Sequence, residues 1–352
     1  MYIERKLPVT RYYGSKRKLI KKIWQVFDEL NIQFDSVLDV FGGSGIFSYY
    51  SKCNNKDVTY NDIFKFNCYI GKALLENPLT EINSDRILNL LNERVDFNYK
   101  NKIEYNYKDI YFVDEENHLI DVIVQNINND ISDEFEKASA FYILFQACLI
   151  KRPFNLFHRK NLSLRTNHTV SNFGNKITWE KSFHELFRQF LNELNEVQFN
   201  NSRINNITNF AASKCDVEAD LVYIDPPYFN SNGSHLSYHS RYHFLEGLVH
   251  YDNLEEFISL QKNNKEICIN HSNEFENKLN FCVDLRNLIS MHINSIIVIS
   301  YRNMGYPSIE EIKNILSEFK PEEGISVINL GEYSYALNRS RTKANEYLII
   351  GR

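Results

Sequence analysis

The chain has 352 residues, a net charge of −5, and 43% apolar and 14% aromatic content, enough for a sizeable core in one large domain with an insertion or in two domains. No apolar run reaches the roughly 18 residues of a membrane span, MYIERKLPVT has no apolar leader stretch, and no Cys or His cluster has metal-ligand spacing, which argues against a membrane protein, a secreted disulfide scaffold and a metal site. Six scattered cysteines without a C-x-x-C pair read as free thiols in the reducing cytoplasm.

Residues 15–31 carry Leu19, Ile20, Ile23, Trp24, Phe27 and Leu30 at helical spacing, which predicts an amphipathic helix. SVLDVF (36–41) reads as a buried strand, and GGSGIFSYYSK as a glycine turn into a helix. DVTYND (57–62) is the next strand and 64–75 the next helix, the start of a parallel α/β sheet. From about 78 to 200 the text turns rich in Asn, Asp, Tyr and charge, with helices near 134–151 and 180–197 around an irregular basic stretch. The sheet pattern resumes with DLVYID, a helix within 242–262, EICIN (266–270), a helix near 275–290, SIIVISY (295–301), a helix over 308–319, and the final strands GISVINL and NEYLIIG. The expected fold is therefore a mostly parallel α/β sheet with helices on both faces, formed by 1–77 and 201–352 and interrupted by a mainly helical insert, 78–200.

Charge is unevenly placed. Residues 151–179 contain no Asp or Glu but hold Lys151, Arg152, Arg159, Lys160, Arg165 and Lys176, whereas 104–136 are strongly acidic. A local basic zone on a mildly acidic chain suits a phosphate-tracking surface, with a solvated basic face as the alternative.

Two motifs carry chemistry. In DLVYIDPPYF the prolines stop an apolar strand, so Asp225 sits at its carboxyl end. Asp225 and the carbonyl of Pro226 are two acceptors for an NH₂ group, and Tyr228 offers a flat wall for its ring. A plain strand-end turn is the structural alternative. In DVFGGSG (39–45) a glycine turn lets a ligand approach the backbone, and Asp62 on the next strand can bind ribose hydroxyls. The third glycine of a dinucleotide fingerprint and the G-K-[ST] of a phosphate loop are both missing, so a nucleoside without pyrophosphate, S-adenosylmethionine, fits better.

Together RYYGSKRKLI (11–20), DVFGGSG, YND (60–62), DPPY (225–228), ISYR (299–302) and EYLIIG (346–351) resemble the ordered motifs of the S-adenosylmethionine-dependent, Dam-like DNA adenine methyltransferases in their alpha arrangement. RPFNLFHRKNLSLRT (152–166) with SNFG (171–174) resembles that family's DNA-contacting stretch, and YHSRYHFLEGL (238–248) resembles a subgroup tied to restriction–modification systems. The resemblance implies a Rossmann-like methyltransferase sheet and an inserted target-recognition domain. It implies that Tyr12 and Lys16 embrace the methionine part of S-adenosylmethionine, that the turn at Asp39, Phe41, Gly43 and Gly45 faces its amino-acid end, and that Asp62 holds the ribose with Ile63 beside the adenine. Asn209-Phe210 stands where the family commonly has Asp-Phe for the cofactor's adenine. Arg159, Lys160, Asn161, Arg165 and Lys176 are the expected DNA contacts. Phe229 is a candidate second apolar contact for the base, with core packing as the alternative, and Tyr301 and Arg302, at a strand end, could line the site but read rather as packing.

The expected function is methyl transfer to the exocyclic nitrogen of a flipped adenine in double-stranded DNA, without metal, as the modification half of a restriction system whose endonuclease is encoded separately. Cytosine exocyclic methylation and a non-catalytic cofactor- or DNA-binding module are the alternatives.

Overall fold

A computed structural model describes residues 5–78, 81–166, 176–230, 237–269, 274–333 and 344–352. Helix α1 (Ile20–Glu29) forms where the periodicity places it, and Ile20, Ile23, Trp24 and Phe27 are buried. Each such side chain contributes roughly 1.5–3 kcal/mol by leaving water. The short runs that read as strands pair side by side: β1 (Ser36–Asp39), β2 (Asp57–Asn61), β3 (Asn205–Thr208), β4 (Leu221–Ile224), β6 (Ile296–Arg302), β8 (Ile325–Tyr333) and β9 (Ala344–Gly351). They form a seven-stranded sheet of order β3-β2-β1-β4-β6-β9-β8, and β5 (Phe229–Asn230) pairs with β7 (Gly305–Tyr306) outside it. All neighbours up to β6 run parallel, and β9 alone is reversed, antiparallel to both β6 and β8. Helices α2 (Ile46–Cys53) and α3 (Lys65–Leu75) make the crossovers around β1 and β2.

Asp220 fixes the β1–β4 register from below, its carboxylate accepting from the N–H groups of Asp35 and Ser36 at 2.8 Å each. Parallel strands covered on both faces read as continuous apolar runs, which is why Leu221–Ile224 is buried at every position.

The insert is helical as expected. Helix Glu134–Ile150 is apolar on all sides and buried from Ala138 to Leu149, the pattern of a central helix rather than a surface one. It packs on α3, with the rings of Tyr69 and Phe141 4.8 Å apart and those of Phe66 and Phe145 5.9 Å apart. The insert therefore continues the core of the sheet.

Three features differ from the sequence reading. EICIN forms no strand and leaves one isolated bridge, Ile258 to Ile267. β3, with the polar text NNIT, joins the sheet edge without an apolar signal. Helix Asp114–Asp130 fills the segment read only as acidic. No described helix is long and apolar enough to cross a membrane.

Candidate active site

β1 has its chain neighbour β2 on one side and the distant β4 on the other, so the strand order reverses between β1 and β4. In open α/β sheets ligands bind beyond the carboxyl ends of the strands at that point. β1 ends on Asp39, and Asp225 directly follows β4. Between them lies a cavity of about 260 Å³ whose lining includes Tyr12, Lys16, Asp39, Phe41, Gly43, Asp62, Ile63, Phe210 and Asp225.

The glycine turn is built around Tyr60. A Cβ on Gly42 would lie 2.0 Å from the Tyr60 ring, and one on Gly43, which has φ +49°, 3.0 Å from the Tyr12 ring. The Tyr60 hydroxyl lies 3.0 Å from the Gly43 carbonyl, which fixes the turn. Gly45, at φ +71°, caps α2 and shapes the turn without lining the cavity. Asp62 closes the other side. Its Oδ2 accepts from the Gly43 N–H at 2.9 Å and from Asn67 Nδ2 at 3.0 Å, and its Oδ1 from the Phe64 N–H at 2.8 Å. Of a carboxylate's roughly four acceptor positions, one on Oδ1 is left for a ligand hydroxyl. Burial pushes Asp62 up to about 6, against these hydrogen bonds. Asp39 accepts from Ser48 Oγ at 2.7 Å through Oδ2, while its buried Oδ1 has no hydrogen-bond partner among the described residues. Burial pushes Asp39 up to about 7. An unsatisfied carboxylate oxygen on a cavity wall is a place for a ligand's cationic donor.

Across the cavity stands a buried ionic group. Lys16, only 2% exposed, holds Asp225 Oδ1 at 2.9 Å and Glu346 Oε1 at 3.6 Å. Burial raises the Asp225 carboxyl to about 6, against the pull of Lys16. Burial opposes the charge of Lys16, but Asp225 and Glu346 outweigh it and hold its pKa well above the ordinary lysine range. Tyr12 stacks on Tyr242 at 4.7 Å and on Tyr238 at 5.8 Å, which ties the N-terminal segment to helix Tyr238–Val249.

Pro226, Tyr228 and Asn209 stand outside the cavity lining. Tyr228 packs edge-on to Tyr301, with the Arg302 guanidinium 4.3 Å above its ring. Asn209 spends its amide on the carbonyls of Asp62 and Ile63, at 2.7 and 2.9 Å, and so braces the loop while Phe210 beside it lines the cavity. Phe229 and Tyr301 are buried packing residues. Sequence reasoning missed Tyr238 and Phe275 in the lining, and Glu346. Glu346 had a signal: a lone carboxylate in the otherwise apolar run EYLIIG.

A family model for D12 class N6 adenine-specific DNA methyltransferases matches residues 12–320. The chain belongs to this family. The methyltransferase is 28% identical to the type II methyltransferase M2.HphI of Haemophilus parahaemolyticus over 89% of its own length and 88% of that protein. It is 26% identical to the modification methylases LlaI of Lactococcus lactis subsp. lactis and StsI of Streptococcus sanguinis, but spans only about half of their lengths, 52% and 49%.

A DNA methyltransferase needs surface for phosphates, and its basic stretch divides sharply. Arg165 makes a two-pronged bond to Glu116, both contacts at 2.8 Å, and Lys151 reaches the same carboxylate at 2.6 Å. Arg152 is buried, donating to the carbonyls of Tyr111 and Arg159 at 3.2 and 2.6 Å. Arg159 and Lys160 are exposed, and Asn161, half-buried at φ +52°, turns the chain behind them. Lys176 opens helix Lys176–Glu180, but its side chain, like SNFG, lies outside the described residues.

Arg165 thus anchors the segment. Arg165→Ala is expected to lower stability by about 2 kcal/mol or more, because Glu116 stays buried with only Lys151. A urea midpoint indistinguishable from wild type would refute that structural role.

Proposed function

We propose that this adenine-specific DNA methyltransferase uses S-adenosylmethionine, acts at specific sites, and is the cytoplasmic modification enzyme of a restriction system with a separately encoded endonuclease. The observation that carries the reading is that Asp225 and the Asp62–Gly43 pair, on either side of the strand reversal, line one cavity. The names of the relatives support the restriction–modification role.

The residues fit that cofactor. Asp39 Oδ1 offers an acceptor to its ammonium, Gly43 leaves room where a side chain would meet Tyr12, Asp62 keeps one acceptor position for a ribose hydroxyl, and Ile63 and Phe210 flank a flat ring. Bound there, it supplies an electrophilic methyl on a sulfonium, whose departure as a neutral thioether calls for neither a metal nor a covalent protein intermediate.

The protein's part is to prepare the target nitrogen. An adenine amine is conjugated with its ring and attacks poorly. Accepting its two N–H groups at Asp225 and the Pro226 carbonyl raises electron density on nitrogen and aims its lone pair. The base must leave the duplex to reach this depth, at a cost of a few kcal/mol, and stacking on Tyr228 returns about 1–3 kcal/mol. Tyr228 is kept in place for this by Tyr301 and Arg302.

Residues 1–77 and 201–352 form the catalytic unit in this reading, and 78–200 the recognition unit. Arg159 and Lys160, the exposed cations among the described residues of the basic stretch, contact phosphates. Arg159→Ala and Lys160→Ala are each expected to weaken DNA binding and to flatten the log K against log salt slope by about 0.9, with cofactor affinity unchanged. Unaltered slopes in both variants would remove this surface from the DNA interface. The whole reading is tested by labelled methyl transfer to unmethylated DNA followed by mapping of the modified base. Label on the cytosine amine, or none from a folded, cofactor-binding protein, would overturn it.

A further inference from the structure

One ammonium at the heart of the site, Lys16, faces two carboxylates, Asp225 and Glu346. Glu346 lies in β9, opposite Arg302 of β6 on one side and Gly331 of β8 on the other, so the sheet fixes its position. It is fully buried, with an exposure of 0%. A carboxylate is expensive to bury and is kept out of water only with compensation. Sheet packing alone would be served better by an apolar residue of similar size, as at Leu348 and Ile350 further along the same strand.

We propose that Glu346 is a positioning residue for methyl transfer: by sharing Lys16, it lets that one ammonium orient Asp225 through Oδ1 without neutralising the charge that the target amine needs. The inference rests on Asp225 being the amine acceptor. If Lys16 paired with Asp225 alone, the two charges would cancel, and Asp225 would attract the amine hydrogens weakly. With Glu346 in place the pull of Lys16 on Asp225 is offset, and Asp225 keeps its negative charge for a nitrogen that becomes positive as its bond to the methyl forms and the sulfonium's S–C bond breaks. Among the described residues, the charged and titratable neighbours of Asp225 include Lys16 before α1, Asp39 at the end of β1, Tyr223 in β4, Tyr228 beneath Arg302, Tyr238, and Glu346 in β9. Of the groups that set the Asp225 carboxyl, Glu346 is the one whose negative charge raises it.

The test is single-turnover methylation of DNA across pH, with S-adenosylmethionine affinity measured separately. Glu346→Gln should lower the rate about 10²-fold with cofactor affinity near normal, and should move the acid limb of the rate to lower pH, because Asp225 loses the neighbour that raised it. Glu346→Asp, which keeps the charge, should return the limb toward its wild-type position. A merely structural Glu346 predicts a lower melting temperature with the limb unmoved, and that result overturns the proposal. If Glu346→Gln does not fold, Lys16→Met/Glu346→Gln is compared with Lys16→Met. Because Glu346 acts through Lys16, the double variant should be no slower than the single one, and additive losses reject the idea. An inactive Asp225→Ala beside a fully active Glu346→Gln defeats this inference alone, whereas a fully active Asp225→Ala defeats the reading beneath it.

Discussion

Asp225→Ala is expected to reduce methyl transfer to DNA by about 10²–10³-fold, the scale on which a charge-stabilising group is lost from a reaction centre. Cofactor affinity should change little, since the Asp39, Gly43 and Asp62 side of the cavity is untouched, and Lys16 keeps Glu346 as its counterion. Wild-type protein should show a related pH dependence. Asp225 accepts amine hydrogens only as a carboxylate, and burial places its titration at about 6, with Asp62 at about 6 and Asp39 at about 7. Protonation disables all three, so the rate should fall as pH drops below about 7 and steepen near 6. Equal methyl incorporation by wild type and Asp225→Ala, or a rate flat down to pH 5, would exclude Asp225 as the acceptor.

Among the described glycines, Gly42→Ala should be the most damaging substitution. Its Cβ would stand 2.0–2.4 Å from three atoms of the Tyr60 ring. That ring has no retreat: Gly71 of α3 already packs against it from another side, where an added Cβ would lie 2.8 Å away, and its hydroxyl is held at the Gly43 and Asn67 carbonyls. Overpacking a rigid core costs about 1–3 kcal/mol and more where neither partner can move. We expect about 3 kcal/mol, which lowers the melting temperature of a chain this size by roughly 4 °C. Cofactor binding should fall with it, because Tyr60 shapes the turn that Asp62 grips through the Gly43 N–H. A variant with wild-type melting temperature and cofactor affinity would show that the turn relaxes freely.

The sequence made the centre of the sheet legible because parallel strands buried on both faces carry uninterrupted apolar text, as in Leu221–Ile224. Helix Asp114–Asp130 escaped for the opposite reason. Its inward face carries Asn117, Asp121 and Gln125, spaced four apart and buried. Each bonds to backbone: the Asn117 amide donates to the carbonyls of Tyr107 and Phe112, Asp121 accepts from the N–H groups of Ile103 and Glu104, and Gln125 uses both groups of Lys100. That polar stripe and the acidic first turn obscured the apolar one beside it, Ile120, Ile123, Val124 and Ile127 at helical spacing and fully buried. Motif spelling likewise located Lys16 and Asp225 but not their contact, since an ion pair between segments some 200 residues apart leaves no local trace. Nor did composition distinguish Arg165, bound to Glu116, from Arg159, facing solvent.

The reversed strand β9 has a consequence for synthesis. It follows β8 in the chain yet lies between β6 and β8, so β8 has no neighbour in the sheet until β9 threads into place. The same strand delivers Glu346 to Lys16, which the ribosome makes some three hundred residues earlier. A nascent chain halted before residue 344 can hold every sequence motif from DVFGGSG to DPPY and still lack strand β9 and the carboxylate that shares Lys16. Premature stop codons ahead of the last strand should therefore yield protein that transfers no methyl group to DNA.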